Sequence, residues 1–317
     1  MRAPAIVSVM RLAVPRRLHS STPTSTPLTL HSISPLIRPQ LTSASSTPSS
    51  SSTSSASSTS GCHISRSSNT ISEDSGVLKE TDFLLWPDFF TPLECRVLSE
   101  MALWKLDRVD SKRKRRRRGS IGAQAYASDR EEKTNDGSME GLQSLFSGEY
   151  GFEEGHYDSV IHHYRETLLS SLPPTSPPSL SPLLTRLYSL LPELPPTHDI
   201  PPPGTSTHLL HLAPEGEILG HVDNLEASGS VICGISLGAE RTLRLVKKGE
   251  REGRAGWDVR LPSGSVYLQR DSVRYGYEHS ILHNEHEGSV WDGERLSPGH
   301  RISIMIRDAP SQPAKLQ

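Results

Sequence analysis

Arg301-Ile302-Ser303-Ile304-Met305-Ile306-Arg307 alternates aliphatic side chains with polar or longer ones, so on an extended backbone the three isoleucines share one face. The opposite face then carries two arginines six residues apart. If that face turns into a closed β-structure the arginines are buried, and a buried charge left unpaired is costly. Something anionic must meet them. Upstream, His221-Val222-Asp223 puts a histidine and a carboxylate at i and i+2, on one side of an extended segment, and His279 follows 56 residues after the aspartate. Two histidines and one carboxylate make the ligand set of a non-haem Fe(II) site with open coordination positions. A downstream arginine suits the distal carboxylate of 2-oxoglutarate, because its planar fork pairs with both oxygens.

The neighbouring sequence has the texture of a β-domain. Short β-like runs occupy His208–Leu212, Ser230–Leu237, Thr242–Lys247, Trp257–Leu261, Ser265–Gln269, His279–Leu282 and Arg301–Arg307. Turn residues punctuate them at Ala213–Gly216, Gly249–Gly256, Pro262–Gly264 and Pro298-Gly299. Many closely spaced short strands indicate a sandwich, jelly roll or barrel. Before them, Phe83–Trp86 reads as a strand, and Thr91-Pro92-Leu93-Glu94 as a capping box opening a helix to about Leu106. Tyr157, Val160, Ile161, Tyr164 and Leu168 predict a second amphipathic helix. Leu172–Gly204 is Pro/Ser-rich, with a helix-like island at Leu183–Leu191.

Other histidines compete for the ligand roles. His156-Tyr157-Asp158 repeats the His-x-Asp pattern, but at the start of the expected helix, where i and i+2 do not share a face. His162 and His163 read as surface or packing residues. His283, the nearest rival of His279, and His286 lack the Tyr275–Ile281 lead into a strand. The alternative for the whole set is a metal-free β-barrel with an ionic pair in its core.

The chain has 317 residues, net charge −2, 5% aromatics and 25 prolines. No global field draws it to nucleic acid or membrane, and no run approaches the ~20 apolar residues of a spanning helix. Cys62, Cys95 and Cys233 are odd in number and scattered, which excludes a disulfide framework and a thiolate metal site. Before Glu73 there is no acidic residue, whereas Arg2, Arg11, Arg16, Arg17, Arg38 and Arg66 are basic amid Ser and Thr. That is the composition of a mitochondrial transit peptide, with a basic tail of no sorting role as the alternative. Ser43–Ser60 holds too little apolar surface to order itself. Residues 1–75 are therefore expected to be transit peptide and disordered linker, and 82–310 one domain with a disordered basic insertion at about 107–148. Within that insertion Lys112–Arg118 is a continuous basic run, read as a solvated segment, with RNA contact or a nuclear signal as the sharper options.

The segment His208–Ala309 resembles the AlkB family of Fe(II)/2-oxoglutarate dioxygenases, and most of all its mitochondrial branch. Gly220–Asp223, Gly234–Leu237, Leu243–Val246, Pro262–Tyr267, Arg274–His279, Gly293–Arg295 and Arg301–Ser303 carry the resemblance, with Gly155–Asp158, Ile161-His162 and Tyr164–Thr167 upstream and the Phe83–Leu98 opening. It implies a double-stranded β-helix (jelly roll) flanked by helices, mainly β in class. It implies His221, Asp223 and His279 as iron ligands and Arg301 as partner of the distal 2-oxoglutarate carboxylate. Arg307 would contact the co-substrate or Asp223, and Tyr267 would offer its hydroxyl to the co-substrate. No further catalytic side chain is expected, and O2 is the second co-substrate. Leu210 and Leu212 stand where nucleic-acid-repairing relatives have Asn and Tyr, which points away from base-flipping repair. A mitochondrial-matrix hydroxylase of a protein or small molecule is expected, with ties to fatty acid metabolism and regulated necrotic death implied by the resemblance. An RNA N-demethylase and a catalytically silent interaction protein are the alternatives. The chain is expected to be a monomer.

Overall fold

The computed structural model describes residues 25–40, 78–117, 139–155, 159–192, 194, 197–250 and 256–309, with backbone alone for 110–117 and 139–140. In chain order, β1 (Ile37–Pro39) and β2 (Phe83–Trp86) precede the helix α1 (Pro92–Arg117). Then come α2 (Met139–Gln143), the hairpin of β3 (Glu153–Gly155) with β4 (Ile161–Leu168), and α3 (Leu180–Tyr188). The long β5 (Thr205–His221) is followed by β6 (Val231–Gly238), β7 (Arg241–Lys247), β8 (Gly256–Leu261) and β9 (Val266–Arg270). A short helix α4 (Asp271–Gly276) leads into β10 (Tyr277–Ile281). The small pair β11 (Val290–Trp291) and β12 (Glu294–Arg295) precedes the last strand, β13 (Arg301–Asp308).

The strands form one rolled sheet in the order β1-β8-β7-β10-β5-β13-β6-β9-β2, with β4 also pairing β5 and β3 pairing β4. β5 belongs to both walls. Its first half pairs β13 from Leu212↔Arg301 to Thr205↔Asp308, and its end pairs β10 at Ile218↔Ile281 and His221↔His279. The expected turn at Ala213–Gly216 is therefore no break. Four residues of β5 oppose one of β4 there, and the strand bulges between Tyr164↔Leu212 and His162↔Glu217 as it passes from wall to wall. The result is a mainly β jelly roll with flanking helices, one of the three architectures the strand texture allows and the one the resemblance implies.

β13 divides the molecule as its alternation requires. Ile302, Ile304 and Ile306 are fully buried against Leu98 and Met101 of α1 and Leu184 and Leu187 of α3, on the outer side of the wall. Arg301, Ser303, Met305 and Arg307 face inward. The capping box holds, Thr91 N–H donating to Glu94 Oε2 at 2.8 Å and Glu94 N–H to Thr91 Oγ1 at 3.4 Å. Glu94 also pairs with Arg186 of α3 at 2.9 Å, tying the two helices together.

Three expectations need correction. From Ile161 onward the predicted helix over Tyr157–Leu168 is the strand β4, whose β-branched and aromatic residues (Ile161, Tyr164, Thr167) suit an extended backbone paired to β5. An i, i+3, i+4 pattern over so few residues cannot by itself separate the two. The stretch expected as a disordered insertion is in part ordered. α1 continues through the basic run to Arg117, since Lys and Arg are good helix formers, and Leu142, Leu145 and Phe146 are buried on the outer wall. The third correction concerns the first 75 residues. Residues 25–40 are part of the fold: β1 pairs β8, while Leu28 exchanges main-chain hydrogen bonds of 2.7 and 2.8 Å with Leu85 of β2. β8 and β2 are the two open margins of the sheet, so this segment straps them together. Leu30 and Ile37 join the interior core with Phe83, Leu85 and Val259. Arg38 stacks on Trp291 at 4.1 Å and donates to the carbonyls of Val290 and Gly288. The rest of the expected leader, Ser43–Ser60, Cys62, His156–Asp158 and Arg118 lie outside the described residues.

Candidate metal centre

The bulged end of β5 delivers His221 directly opposite His279 of β10, with ring centroids 4.2 Å apart. Asp223, just beyond the strand end, approaches both: its Oδ1 lies 3.2 Å from His221 Nε2 and 3.7 Å from His279 Nε2. One donor atom from each of the three falls within 4.8 Å of the others. The sequence linked these residues by spacing and by resemblance; the fold brings their donor atoms together. His221 Nδ1–H donates to the Leu219 carbonyl at 2.9 Å, which fixes the tautomer and leaves the Nε2 lone pair facing the cluster. Asp223 Oδ2 accepts from Arg307 Nε at 2.6 Å, so of the two expected partners of Arg307 the structure shows the carboxylate.

The electrostatics suit a cation. Burial alone would raise the Asp223 carboxyl, but the His221 bond and the charges of His279 and Arg307 hold it well below the usual carboxylate range. Burial, and then the His221 charge, push His279 down to about 3, so it is a neutral donor at physiological pH. For His221, burial lowers the pKa but is outweighed by the bonds to Asp223 and Leu219. Two neutral-capable imidazoles and a carboxylate, in reach of one point, fit a divalent first-row metal.

Deeper in the barrel is a matching cradle. Arg301 is 1% exposed; its Nε donates to Ser236 Oγ at 3.0 Å, and both Nη groups have no partner among the described residues. The two unsatisfied Nη groups form the end-on fork that takes a carboxylate with two parallel bonds. Tyr267, 2% exposed, lies on the inward face with its hydroxyl 3.7 Å from Met305 Sδ, a weak acceptor that a carboxylate oxygen would readily replace. A Cβ at Gly234, its neighbour across β6 and β9, would run into the Tyr267 ring, so the glycine makes room for it. The aliphatic Leu210 and Leu212 border the same space.

Other histidines stay apart from this centre. His162 pairs with Glu217 at 3.2 Å, while His283 and His286 accept main-chain N–H groups in the loop after β10. Two residues escaped the sequence reading. His208, inward on β5 opposite Met305, is pushed down to about 4 by burial and the Arg307 charge. Its i, i+2, i+4 spacing with Leu210 and Leu212 was the available signal. Arg241 is the other, and nothing in its local sequence marks it.

Comparison with known proteins agrees with the geometry. Residues 161–307 match the model of the 2OG-Fe(II) oxygenase superfamily. The chain is 33% identical over 164 residues to the Bos taurus alpha-ketoglutarate-dependent dioxygenase alkB homolog 7, mitochondrial, and 33% identical over 160 residues to its Mus musculus counterpart. Each match covers 50% of this chain and 66% of the relative, just under two thirds of its length. A Pseudomonas putida prolyl-4-hydroxylase structure overlaps 73% of this chain and 94% of its own at 9% identity, with a TM-score of 0.37, too low to bear on function.

Proposed function

From the premise that the chain belongs to the 2OG-Fe(II) oxygenase superfamily as an AlkB-type member, we propose that it is an Fe(II)- and 2-oxoglutarate-dependent dioxygenase hydroxylating a protein or small-molecule substrate. The observation that carries this is the buried, unpartnered fork of Arg301, on the same inward face as the His221–Asp223–His279 cluster. His221, Asp223 and His279 would hold the iron, with Arg307 orienting Asp223 through its second oxygen. Arg301 would fix the distal carboxylate of 2-oxoglutarate, and Tyr267 would add a hydroxyl donor. With iron bound, the site would couple decarboxylation of 2-oxoglutarate by O2, giving succinate and CO2, to insertion of the other oxygen atom into a substrate C–H bond. Leu210 and Leu212 keep water from the co-substrate and offer no polar group to a flipped base.

The chain neighbours of the metal-cluster residues support the substrate class. Leu219, Leu225 and Tyr275, all large and exposed, flank the metal-cluster residues along the chain, and Glu226 and Glu278 lie beside them. Apolar and acidic groups suit a peptide or an acyl chain better than a phosphate backbone. The basic run on α1 favours the second reading, an RNA N-demethylase. A mitochondrial location is supported by the Arg/Ser-rich beginning of the chain and the relatives' printed names; the matrix as the compartment, and a role in fatty acid metabolism and necrotic death, rest on resemblance alone.

The test is anaerobic titration of residues 25–317 with Fe(II) and 2-oxoglutarate, following the visible charge-transfer band of the chelate. The band is expected in the wild type and lost in His279→Ala and Arg301→Ala. Its absence from folded wild type would sink the proposal and turn attention to a non-catalytic interaction protein. RNA affinity falling steeply with salt, and abolished by deleting residues 112–118, would select the demethylase.

A further inference from the structure

Arg241, the first residue of β7, is 1% exposed and shares the inward face of that strand with Leu243 and Leu245. Its side chain crosses the end of the barrel. Nη2 donates to the carbonyls of Ala213 (3.1 Å), Pro214 (2.9 Å) and Gly299 (3.1 Å), while Nε and Nη1 have no partner among the described residues. Those carbonyls locate it beside Arg301. Ala213 follows Leu212, the cross-strand partner of Arg301, and Gly299 lies two residues before Arg301 in the chain. This end of the barrel thus holds two neighbouring buried guanidiniums, with four N–H-bearing nitrogens between them unsatisfied among the described residues. Main-chain carbonyls and one serine hydroxyl supply dipoles, and the compensating charge that reaches Arg241 is that of the exposed Glu215, outside the pocket. Burial, and after it the Arg301 charge, bring Arg241 down to about 10. Two like charges pressed together in an apolar wall call for an anion between them.

We propose that Arg241 is a second cationic group for the distal carboxylate of 2-oxoglutarate, anchored by Nη2 and presenting its remaining N–H groups beside the Arg301 fork. The assignment rests on the dioxygenase reading above. It makes the pocket selective for a dicarboxylate, since a keto acid without the distal group leaves two charges unmet instead of one.

The test uses the full chain loaded with Mn(II), which fills the metal site without turnover. Calorimetry compares 2-oxoglutarate with 2-oxobutanoate, which has the same keto-acid head and no distal carboxylate. Arg241→Met is expected to weaken 2-oxoglutarate binding about tenfold or more while changing 2-oxobutanoate binding less than about twofold, as for a lost charge-assisted bond. Arg241→Lys should recover part of the loss. Equal weakening of both acids would mean a purely structural role and overturn the assignment. Should the variants not fold, a crystal structure of the wild-type Mn(II) complex decides: an Arg241 nitrogen within ~4 Å of the distal carboxylate supports it, a greater separation overturns it. A wild type that binds no 2-oxoglutarate would instead refute the dioxygenase reading itself.

Discussion

His211 makes the pH dependence of stability calculable. Its ring is fully buried on the outer side of β5 and accepts at Nδ1 from Arg165 Nε at 2.9 Å; its Nε2–H therefore faces His300 Nδ1 at 3.1 Å. Phe146, Tyr150 and Phe152 wall the pair in, and Arg165 is held in turn by Asp107 at 2.8 Å and by the Tyr150 ring at 4.1 Å. Burial first, then the charges of Arg165 and His300, hold His211 at about 2. An unfolded histidine titrates near 6.5. Below that value the unfolded chain binds a proton that the folded chain refuses, so stability falls as pH falls. Between pH 7 and pH 5 this one group removes about 2 kcal/mol, a figure insensitive to the folded value as long as that value lies well under 5. Urea unfolding of the wild type and His211→Gln at both pH values isolates the contribution. His208 and His279 are also depressed and titrate alike in the two proteins, so they cancel in the comparison. The variant is less stable at pH 7 but should lose about 2 kcal/mol less than wild type on going to pH 5. PH differences equal within about 0.5 kcal/mol would refute the buried neutral histidine.

Three further outcomes are expected. Ile37→Ala should cost about 2–5 kcal/mol by denaturant unfolding, whereas Ile33→Ala, at a fully exposed position of the same strap, should stay within about 0.5 kcal/mol. Equal effects would show that the strap does not pack. Gly234→Ala must displace the Tyr267 ring, so a loss of roughly 1–3 kcal/mol in stability should come with weaker 2-oxoglutarate binding; binding unchanged would remove Tyr267 from the pocket. Arg301→Met should abolish most 2-oxoglutarate affinity, by roughly 2–3 kcal/mol, yet leave Mn(II) affinity nearly intact, measured by calorimetry of each in turn. A parallel loss of metal would mean that the variant has disturbed the fold.

The legible parts of this chain were those with a period. From Ser230 onward the predicted runs fall within about two residues of β6–β10 and β13, because each is a short apolar run bounded by turn residues, whereas His208–Leu212 marked only part of the long β5. The last strand announced its two faces, and His221 and Asp223 announced a shared side. What stayed hidden was set by partners far away in sequence. β4 is a strand because β5 lies beside it, and its own apolar spacing read equally well as a helix. Ala213–Gly216 looked like a turn because Pro and Gly mark bends, and a bulge in a continuous strand uses the same residues. Arg241 is one charged residue among many in the sequence; only folding puts it next to Arg301. Residues 25–40 lie in a segment whose composition is dominated by the Ser/Thr tract after it, so their few apolar side chains were averaged away.

The strap also bears on where the chain can be cut. If the Arg-rich beginning is a leader, a peptidase acting before residue 25 leaves a domain that can still close its sheet, whereas one acting after residue 40 releases a barrel with β8 and β2 unsealed. Sorting and folding would then draw on adjoining stretches of the same short segment. Any recombinant design that trims the low-complexity region back to the first predicted strand discards Leu30, Ile37 and Arg38 with it, and inactivity of such a fragment would say nothing about the chemistry of the intact protein.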